Sequence, residues 1–395
     1  MSRHPWPHSA LDVDTLKAGG WRATPFQDFV FKVAQRCNLA CDYCYVYTKA
    51  DQSWRDRPIL MNAAVRRAAV HRVAEHADRH DLTRIHVILH GGEPLLAGAE
   101  TLVEIASAVR AAVPPRCLVK VTVQTNAVLL TREALAMLRR AGITVGVSID
   151  GGGEAGSRHR RRADGRSSFA AIDRALTMLR EPEYTGTYAG ILCVVDTELD
   201  PVSCYESLLA YRPPLMDFLL PHANWTAPPT TSPARWLVRL FDRWYGASEQ
   251  ETRIRLFEEI INLVLGGRGR GEHVGLSPVA VVVIESDGAI EQADSLKSTY
   301  AGAAATGLAV LDHPLDLALE HPGFVARQAG TAALSGDCLA CPIHRVCGGG
   351  HYAHRFDTRT GFRNRSVYCA DLYELVNHIT ARLASDLKAL HGTVP

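Results

Sequence analysis

Apolar runs rich in β-branched residues alternate with helical patterns over the first two thirds of this 395-residue chain. Short strands that alternate with amphipathic helices are typical of βα units around a parallel sheet. The predicted strands span residues 28–33, 84–90, 119–125, 144–149, 188–194 and 217–220. The predicted helices between and after them include residues 62–78, 131–141, 169–179, 201–211 and 233 to about 248.

Six βα units of this kind form either a partial barrel or an open, doubly wound sheet, and the pattern alone does not separate the two α/β folds. In both folds, ligands bind at the carboxyl ends of the strands. The residues that follow each predicted strand are therefore the first candidates for function.

Three cysteines, Cys37, Cys41 and Cys44, follow the first predicted strand within eight residues. Thiolates this close in sequence can bind one inorganic centre, and three of them leave one metal position open for a substrate or cofactor. A zinc knuckle and an electron-transfer ferredoxin site are the alternatives. A ferredoxin site normally supplies four thiolates, whereas this loop supplies three.

Polar residues also follow the next three predicted strands. The second strand ends in the run Gly-Gly-Glu-Pro at 91–94, where glycines let backbone carbonyls approach an ammonium ligand and Glu93 adds a charge-assisted hydrogen bond. The third strand ends with Gln124 and Asn126, and the fourth with Ser148 and Asp150, which suit a ribose or a carboxylate. A simple turn is the alternative for each set.

The C-x3-C-x2-C spacing, with Tyr43 before the last cysteine, resembles the radical S-adenosylmethionine (SAM) enzymes. In that family three cysteines hold three irons of a [4Fe-4S] cluster, and the fourth iron chelates SAM. The resemblance also favours a partial (βα)6 barrel, which is the fold of that family. It implies SAM contacts from Tyr43, Gly91, Gly92, Glu93, Gln124, Asn126, Ser148 and Asp150. Arg161, in the arginine-rich loop 158–166, is the expected partner of the SAM carboxylate, with a solvated loop as the alternative. The family usually has glycine where Ala127 stands.

A second cysteine group lies near the end of the chain. It resembles the SPASM domain, an auxiliary-cluster module of peptide-modifying radical SAM enzymes, and consists of Cys338, Cys341, Cys347 and Cys369. A full SPASM domain has seven cysteines and two clusters, but His351 stands at one of the further positions. Glu291, Gln292 and Asp294 stand where early cysteines are expected, beside a predicted strand-turn-strand at 279–292. One auxiliary [4Fe-4S] cluster is the resulting prediction, and a structural zinc site is the alternative.

The sequence around Cys347 and Trp225 resembles the FxsB-type branch of SPASM enzymes. Members of that branch join an aromatic side chain to a nearby β-carbon of a ribosomal peptide. The resemblance implies a precursor peptide partner, a cyclophane product, and a reductant such as flavodoxin or ferredoxin. One electron would cleave SAM, and the 5′-deoxyadenosyl radical would abstract hydrogen. The auxiliary cluster would accept an electron and a base would take a proton. The candidate catalytic bases are His222, His351 and His354, with Asp217 and Glu291 behind them.

Two functional alternatives remain at this point. The first is another radical SAM peptide modification, such as epimerisation, thioether formation or sulfatase-type oxidation of Ser or Cys. The second is a non-catalytic iron–sulfur or zinc protein, in which the Gly-Gly-Glu-Pro run has no role.

Composition places few further limits on the protein. A formal net charge of +1 gives no reason to expect nucleic acid or an anionic membrane as partner. The first ten residues lack the apolar run of a signal peptide, so the expectation is a cytoplasmic enzyme with reduced cysteines. The predicted organisation is an N-terminal extension at 1–26, the barrel at 27–250, a bridging region with a β-hairpin at 251–334, and the SPASM-like domain at 335–395.

Overall fold

A computed structural model describes residues 6–8, 11–269 and 271–392. Parts of the predicted N-terminal extension, residues 1–5 and 9–10, and the end of the C-terminal domain, residues 393–395, lie outside the described residues. The strands are β1 (Asp28–Ala34), β2 (Arg84–Gly91), β3 (Leu118–Thr125), β4 (Ile143–Ser148), β5 (Tyr188–Val194), β6 (Leu215–Leu219), β7 (Arg253–Ile254), β8 (Val281–Ile284), β9 (Ala289–Glu291) and β10 (Ala305–Ala309).

All these strands belong to one sheet with the order β10-β9-β8-β1-β2-β3-β4-β5-β6-β7. Strands β1 to β7 are parallel to their neighbours, and β8 pairs in parallel with the free side of β1. The sheet therefore follows chain order from β1 to β7, as a curved row of βα units that does not close on itself. This is the predicted partial barrel, and the doubly wound alternative is wrong because β1 to β7 follow chain order in one direction, and β8 joins the free edge of β1 only after these strands are complete.

The α-helices lie mostly between the strands and cover the outside of the sheet. They are α1 (Val13–Ala18), α2 (Ala63–Arg79), α3 (Ala99–Ala112), α4 (Arg132–Arg140), α5 (Gly153–Gly156), α6 (Phe169–Leu179), α7 (Pro201–Leu209), α8 (Ala234–Tyr245), α9 (Arg255–Val264), α10 (Pro322–Gln328), α11 (Gly336–Leu339), α12 (His344–Cys347) and α13 (Cys369–Gly392). Short 3-10 turns include Pro94–Ala97, Asp294–Ser298 and Tyr352–Arg355.

Side-chain caps determine where several of these helices begin. Asn62 accepts from the Val65 N–H at the start of α2, and Thr131 accepts from the Ala134 N–H at the start of α4. Asp200 caps α7, whose first residue is a proline. Along β2 the buried positions alternate, with Ile85, Val87 and Leu89 inside. The helices and the sheet therefore share one apolar core that holds the strand ends in place.

The predicted strand-turn-strand forms as the β8–β9 hairpin, and Gly288 takes φ +91° at its turn. The hairpin extends the barrel sheet from the β1 edge, so it is joined to the barrel by hydrogen bonds. A segment after β6 connects the barrel to the C-terminal module. In this segment the Pro221 carbonyl accepts from Tyr368 Oη at 2.9 Å, and Trp225 Nε1 donates to the Arg365 carbonyl at 2.8 Å.

Among the described residues, no helix is both long enough and apolar enough to cross a membrane.

Candidate active site

The three-cysteine loop follows β1 and lies against the arginine-rich loop that precedes α6. The Ala40 N–H donates to the Arg161 carbonyl at 2.7 Å, and His159 Nδ1 lies 2.7 Å from Asp42 Oδ2. Cys37 Sγ accepts from the Leu39 N–H at 3.4 Å and lies 3.6 Å from Asn126 Nδ2. These contacts fix the loop over the carboxyl ends of the first strands.

The environment of the loop thiols suits a metal-bound state. Burial raises the pKa of the Cys37 thiol to about 12 and that of Cys41 to about 11. Without a metal these groups would therefore stay protonated, and bound iron is the positive charge that would stabilise their thiolates. The cysteine set thus fits a cluster on the chemistry of its donors.

A single zinc ion would require the sulfurs to lie close together. Thiolates around one tetrahedral zinc lie about 3.8 Å apart, from Zn–S bonds of about 2.3 Å. Three sets of metal-ligating groups in the described part of the chain have all ligand atoms within 4.8 Å of one another, and none of these sets contains a cysteine. Within the described residues, three sulfurs of either cysteine group therefore do not all lie within 4.8 Å of one another.

Glu93 is buried where β2 ends, and it joins β2 to β3. Its Oε1 accepts from Thr125 Oγ1 at 2.6 Å and from the Leu95 N–H at 3.0 Å, while its Oε2 accepts from the Asn126 N–H at 2.8 Å. A carboxylate has about four lone-pair sites, so one remains for a ligand. Burial raises the pKa of Glu93 despite these bonds.

The glycines beside Glu93 have a packing role that the sequence did not indicate. A Cβ added to Gly91 would overlap the Ala34 backbone, and one added to Gly92 would overlap the Arg36 carbonyl and Tyr47 Oη. The Gly91 carbonyl also accepts from Lys32 Nζ at 3.2 Å. Close approach of β2 to the end of β1 explains Gly91, and close approach to the cysteine loop explains Gly92.

The polar residues at the next strand ends lie side by side. Gln124 Nε2 donates to Ser148 Oγ at 2.9 Å across β3 and β4. Asn126 Nδ2 donates to Asn38 Oδ1 at 2.7 Å, which connects the β3 end to the cysteine loop. Ala127 follows with φ +59°, in the left-handed region that favours glycine. This explains why a glycine is usual at this position.

A buried arginine meets Tyr43 and Asp150, and it is Arg160 rather than Arg161. Arg160 Nη1 donates to Tyr43 Oη at 2.8 Å and lies 3.8 Å from Asp150 Oδ2, and Tyr43 Oη donates to the same carboxylate oxygen. The Nε of Arg160 is buried and has no hydrogen-bond partner. Arg161 is exposed and donates to carbonyls of its own loop. The structure therefore offers Arg160 to a ligand carboxylate, and Arg161 is not brought to the site.

The four C-terminal cysteines surround one cavity of about 180 Å³, whose lining includes Cys338, Cys341, Cys347, Cys369, Gly349 and Arg365. Cys347 ends α12, and the left-handed turn at Gly348 bends the chain around the cavity. Burial raises the pKa of Cys347 to about 11, so this set also requires a metal to hold thiolates. The cavity fits the auxiliary [4Fe-4S] cluster.

Glu291 and Asp294, which stand where further cysteines are expected, belong to a buried ion-pair network. Lys297 Nζ lies 3.0 Å from both carboxylates and also contacts Glu285. Lys32 adds a 2.8 Å contact to Asp294. Three cations, counting Arg57, face three buried carboxylates, Glu285 included, so the charges balance. This network leaves no group of thiolates for a second auxiliary cluster.

The three candidate bases, His222, His351 and His354, lie together next to the cysteine loop. Their ring centroids are separated by 4.9 to 5.8 Å. The ring of Tyr45, which directly follows Cys44, lies 5.0 Å from that of His222. The other two candidates are in ion pairs, since Asp217 lies 3.0 Å from Arg255 and Glu291 meets Lys297.

A series of ring contacts joins the two cysteine sites. It runs from Tyr45 to His222 at 5.0 Å, from His222 to His354 at 5.8 Å, and from His354 to Tyr368 at 5.0 Å. Tyr45 is bonded to Cys44 and Tyr368 is bonded to Cys369. The series therefore begins and ends at residues that are adjacent in sequence to a cysteine of each site.

Sequence reasoning missed Arg160, Tyr45 and His273 as members of these sites. Arg160 and Arg161 are neighbours in an extended loop, so their side chains point to opposite sides. The amino-acid composition of the loop does not predict which of the two faces the site. His273 lies 5.4 Å from the ring of His351 but comes from a loop without a pattern. For Tyr45, the adjacent Cys44 was an available signal.

Comparisons with known proteins agree with this geometry. The radical SAM superfamily profile matches residues 31–199. The cysteine-type anaerobic sulfatase-maturating enzyme of Clostridium perfringens (strain 13 / Type A) is 24% identical over 291 residues, which cover 68% of this chain and 74% of that enzyme. The serine-type anaerobic sulfatase-maturating enzyme of Klebsiella pneumoniae is 24% identical over 390 residues, covering 93% and 91%.

Solved structures share the fold over most of the chain. Native anSMEcpe with bound AdoMet and Kp18Cys peptide superposes with a TM-score of 0.79 at 20% identity, covering 93% of this chain and 100% of that one. Streptococcus suis SuiB bound to precursor peptide SuiA gives 0.59 at 15% identity, covering 90% and 78%. The matched region contains the cysteine loop and strands β2 to β5, so this part of the chain is similar to the radical SAM superfamily.

Proposed function

We propose that this enzyme matures a ribosomally synthesised peptide by joining an aromatic ring carbon to the β-carbon of a nearby residue, which forms a cyclophane. The observation that supports the proposal most is the series of ring contacts from Tyr45 to Tyr368, which passes through the histidines between two cysteine sites. An oxidative ring closure needs a radical source, an exit for one electron and an acceptor for one proton, and this arrangement offers a place for each.

Two groups of cysteines would hold the cofactors. Cys37, Cys41 and Cys44 would hold the SAM-binding [4Fe-4S] cluster, and the four cysteines around the C-terminal cavity would hold the auxiliary one. When bound, these groups supply a 5′-deoxyadenosyl radical and an electron acceptor. Glu93, Asp150 and Arg160 offer opposite charges that suit the ammonium and carboxylate groups of SAM.

The reaction balances without an external oxidant. One hydrogen atom leaves the β-carbon and a bond forms from that carbon to the ring, after which the ring gives up one electron and one proton. The electron that starts SAM cleavage is thereby recovered. SAM is consumed as 5′-deoxyadenosine and methionine, and the peptide loses two hydrogens.

The proton acceptor belongs to the histidine cluster formed by His222, His351 and His354. Burial lowers the pKa of His222 to about 4, and it lowers the pKa values of His351 and His354 well below their ordinary range. The cluster is therefore neutral at physiological pH and able to accept a proton. The oxidised ring is a strong acid, so a weak base is sufficient at this step.

Sulfatase-type oxidation of a Ser or Cys side chain is the second candidate, favoured by the sequence similarity to two sulfatase-maturating enzymes. Against it stands the closed ion-pair network around Lys297, which occupies the place where a second auxiliary cluster is expected for that type.

The test uses the reconstituted holoenzyme with peptides encoded beside its gene, SAM and a chemical reductant, under anaerobic conditions. The expected product has lost two hydrogens and fragments poorly over a stretch that ends at an aromatic residue. Cys369→Ser should still release 5′-deoxyadenosine but give no cross-link. Cys117→Ser, at a buried cysteine outside both groups, is the matched control and should behave as the parent.

Three results would contradict the cyclophane. A product that reacts with an aldehyde reagent would indicate sulfatase-type oxidation, which removes the same two hydrogens from serine. Unchanged mass with solvent deuterium at an α-carbon would indicate epimerisation. A new sulfur–carbon bond at a peptide cysteine would indicate thioether formation.

A further inference from the structure

The histidine cluster is built from two distant parts of the chain. His222 follows β6. About 130 residues later, His351 directly precedes a 3-10 turn and His354 lies within it. Residues three apart in a 3-10 turn project in the same direction, which explains why the His351 and His354 rings are only 4.9 Å apart. One ring nitrogen from each of the three residues lies within 4.8 Å of the others.

Several of these nitrogens have no partner. His222 Nδ1 and both ring nitrogens of His354 are buried and make no hydrogen bond. Each buried polar atom left unsatisfied costs about 1 to 3 kcal/mol, so these atoms indicate a missing partner, and a single ion would bind one nitrogen of each ring. A resident proton does not fill this role at physiological pH, because burial lowers the pKa values of these rings, although a strong acid can still transfer a proton to them. Neutral imidazole is, however, the form that binds metal ions.

We propose that His222, His351 and His354 bind one divalent transition-metal ion of the zinc class. Three histidines with a fourth position left open are an established ligand set for zinc. Nitrogens around tetrahedral zinc lie about 3.3 Å apart, so side-chain shifts of about an ångström would complete the site. Nothing in this inference depends on the peptide substrate.

Two local features oppose the ion, namely a long hydrogen bond to His351 and two nearby arginines, of which Arg327 has a carboxylate partner. His351 Nδ1 accepts from the Ala353 N–H at 3.3 Å, and metal binding through either ring nitrogen would break this long bond. Arg327 and Arg355 are close by. Arg327 is paired with Glu272, and Arg355 donates to the carbonyls of Gly348 and Gly350 at 2.6 Å.

The ion would also explain how the histidine cluster accepts a proton under the proposed function. Three protein ligands leave the fourth position to water, and zinc lowers the pKa of bound water to about 7. The proton acceptor would then be a metal-bound hydroxide, held by rings that contact Tyr45 beside the cysteine loop.

The test counts metals in the anaerobically reconstituted holoenzyme after dialysis against zinc and removal of free ion. The parent should gain about one zinc per chain while its iron and sulfide contents stay constant. His351→Asn removes the imidazole but keeps a residue able to cap the turn, and it should lose the zinc; His222→Gln should lose it as well. His321→Asn is the matched control, because His321 Nδ1 also accepts from the backbone N–H two residues on, at 3.2 Å. It should bind zinc as the parent does.

The inference is overturned if the parent takes up no zinc, or if His351→Asn and His222→Gln both retain it. Zinc lost on His80→Gln would place the ion at the other histidine group, His76, His80 and Asp316. Zinc uptake matched by iron loss, or sulfur ligands in zinc X-ray absorption spectra, would place it at the cysteines. Because these measurements involve no peptide, their failure is distinguishable from failure of the proposed function.

Discussion

Lys297→Met tests whether the buried ion-pair network stabilises the fold. Lys297 is almost fully buried and faces Glu285, Glu291 and Asp294. Methionine keeps most of the side-chain volume but removes the charge, which leaves Lys32 and Arg57 to balance three carboxylates. One buried carboxylate is then uncompensated.

The magnitude follows from the cost of one unpaired buried charge. Breaking a buried pair by removing one partner costs about 3 to 5 kcal/mol. For 395 residues the unfolding entropy is about 0.83 kcal/mol/K, from about 2.1 cal/mol/K per residue. The expected fall in Tm is therefore about 4 to 6 °C, measured by calorimetry of protein with equal iron content.

The fall in Tm caused by Lys297→Met should also depend on pH. Burial raises the pKa of Glu291, and Lys297 opposes that rise, so its removal moves the pKa higher still. A carboxyl group whose pKa is higher in the folded than in the unfolded state stabilises the fold below the unfolded pKa, and that stability is lost as pH rises through the folded pKa. The Tm difference between variant and parent should therefore be larger at about pH 8 than at about pH 5.5.

Two companion variants complete the experiment. Lys297→Met combined with Glu291→Gln removes the uncompensated charge and should recover about half of the lost Tm. Lys17→Met is the matched control, since Lys17 pairs with Glu320 at the surface, and it should leave Tm within about 1 °C. A buried network with no energetic role would show no difference between Lys297→Met and this control. Equal losses at both pH values would refute the assignment of the raised pKa to Glu291.

Three further predictions concern the metal sites and the SAM site. Iron and sulfide assays should give about eight of each per chain, as two [4Fe-4S] clusters, and alanine at the three loop cysteines should halve both and abolish SAM cleavage. In equilibrium dialysis, Arg160→Ala should weaken SAM binding by about tenfold or more, whereas Arg161→Ala should stay within about twofold; equal effects would contradict the assignment. Gly92→Ala should lower Tm by overlap with the Arg36 backbone, unlike Gly186→Ala, whose Cβ meets nothing within 4 Å.

The strand and helix positions were predictable because they depend on local periodicity. The structure has β5 at Tyr188–Val194 and α6 at Phe169–Leu179, and both bounds agree with the sequence pattern. The hairpin at β8 and β9 was predictable from Asp287 and Gly288, whose turn needs a positive φ. Its addition to the free side of β1 was not, since strand partners far apart in sequence leave no periodic signal.

The ion-pair network shows the same limit within the site. From the sequence, Glu291 and Asp294 were notable only because they are not cysteines. Their partners Lys32 and Arg57 lie more than 200 residues earlier, in β1 and in the loop after the cysteines. Each of these residues alone looks like an ordinary surface charge, and only the folded chain places them together without water.

The network and the histidine cluster together constrain the chemistry of this chain. An iron–sulfur cluster both cross-links its surroundings and exchanges electrons, whereas ion pairs around Lys297 can only cross-link. They tie β1, the hairpin and the turn at Asp294–Ser298 into one unit, but no group among them accepts an electron at ordinary potentials. Under the proposed function, each turnover would therefore pass its electron to the cysteine-lined cavity, along the side where Tyr45, His222, His354 and Tyr368 are in contact. A substrate radical is then best placed near His222, between the two cysteine sites, because from there both the electron and the proton leave over the shortest series of contacts.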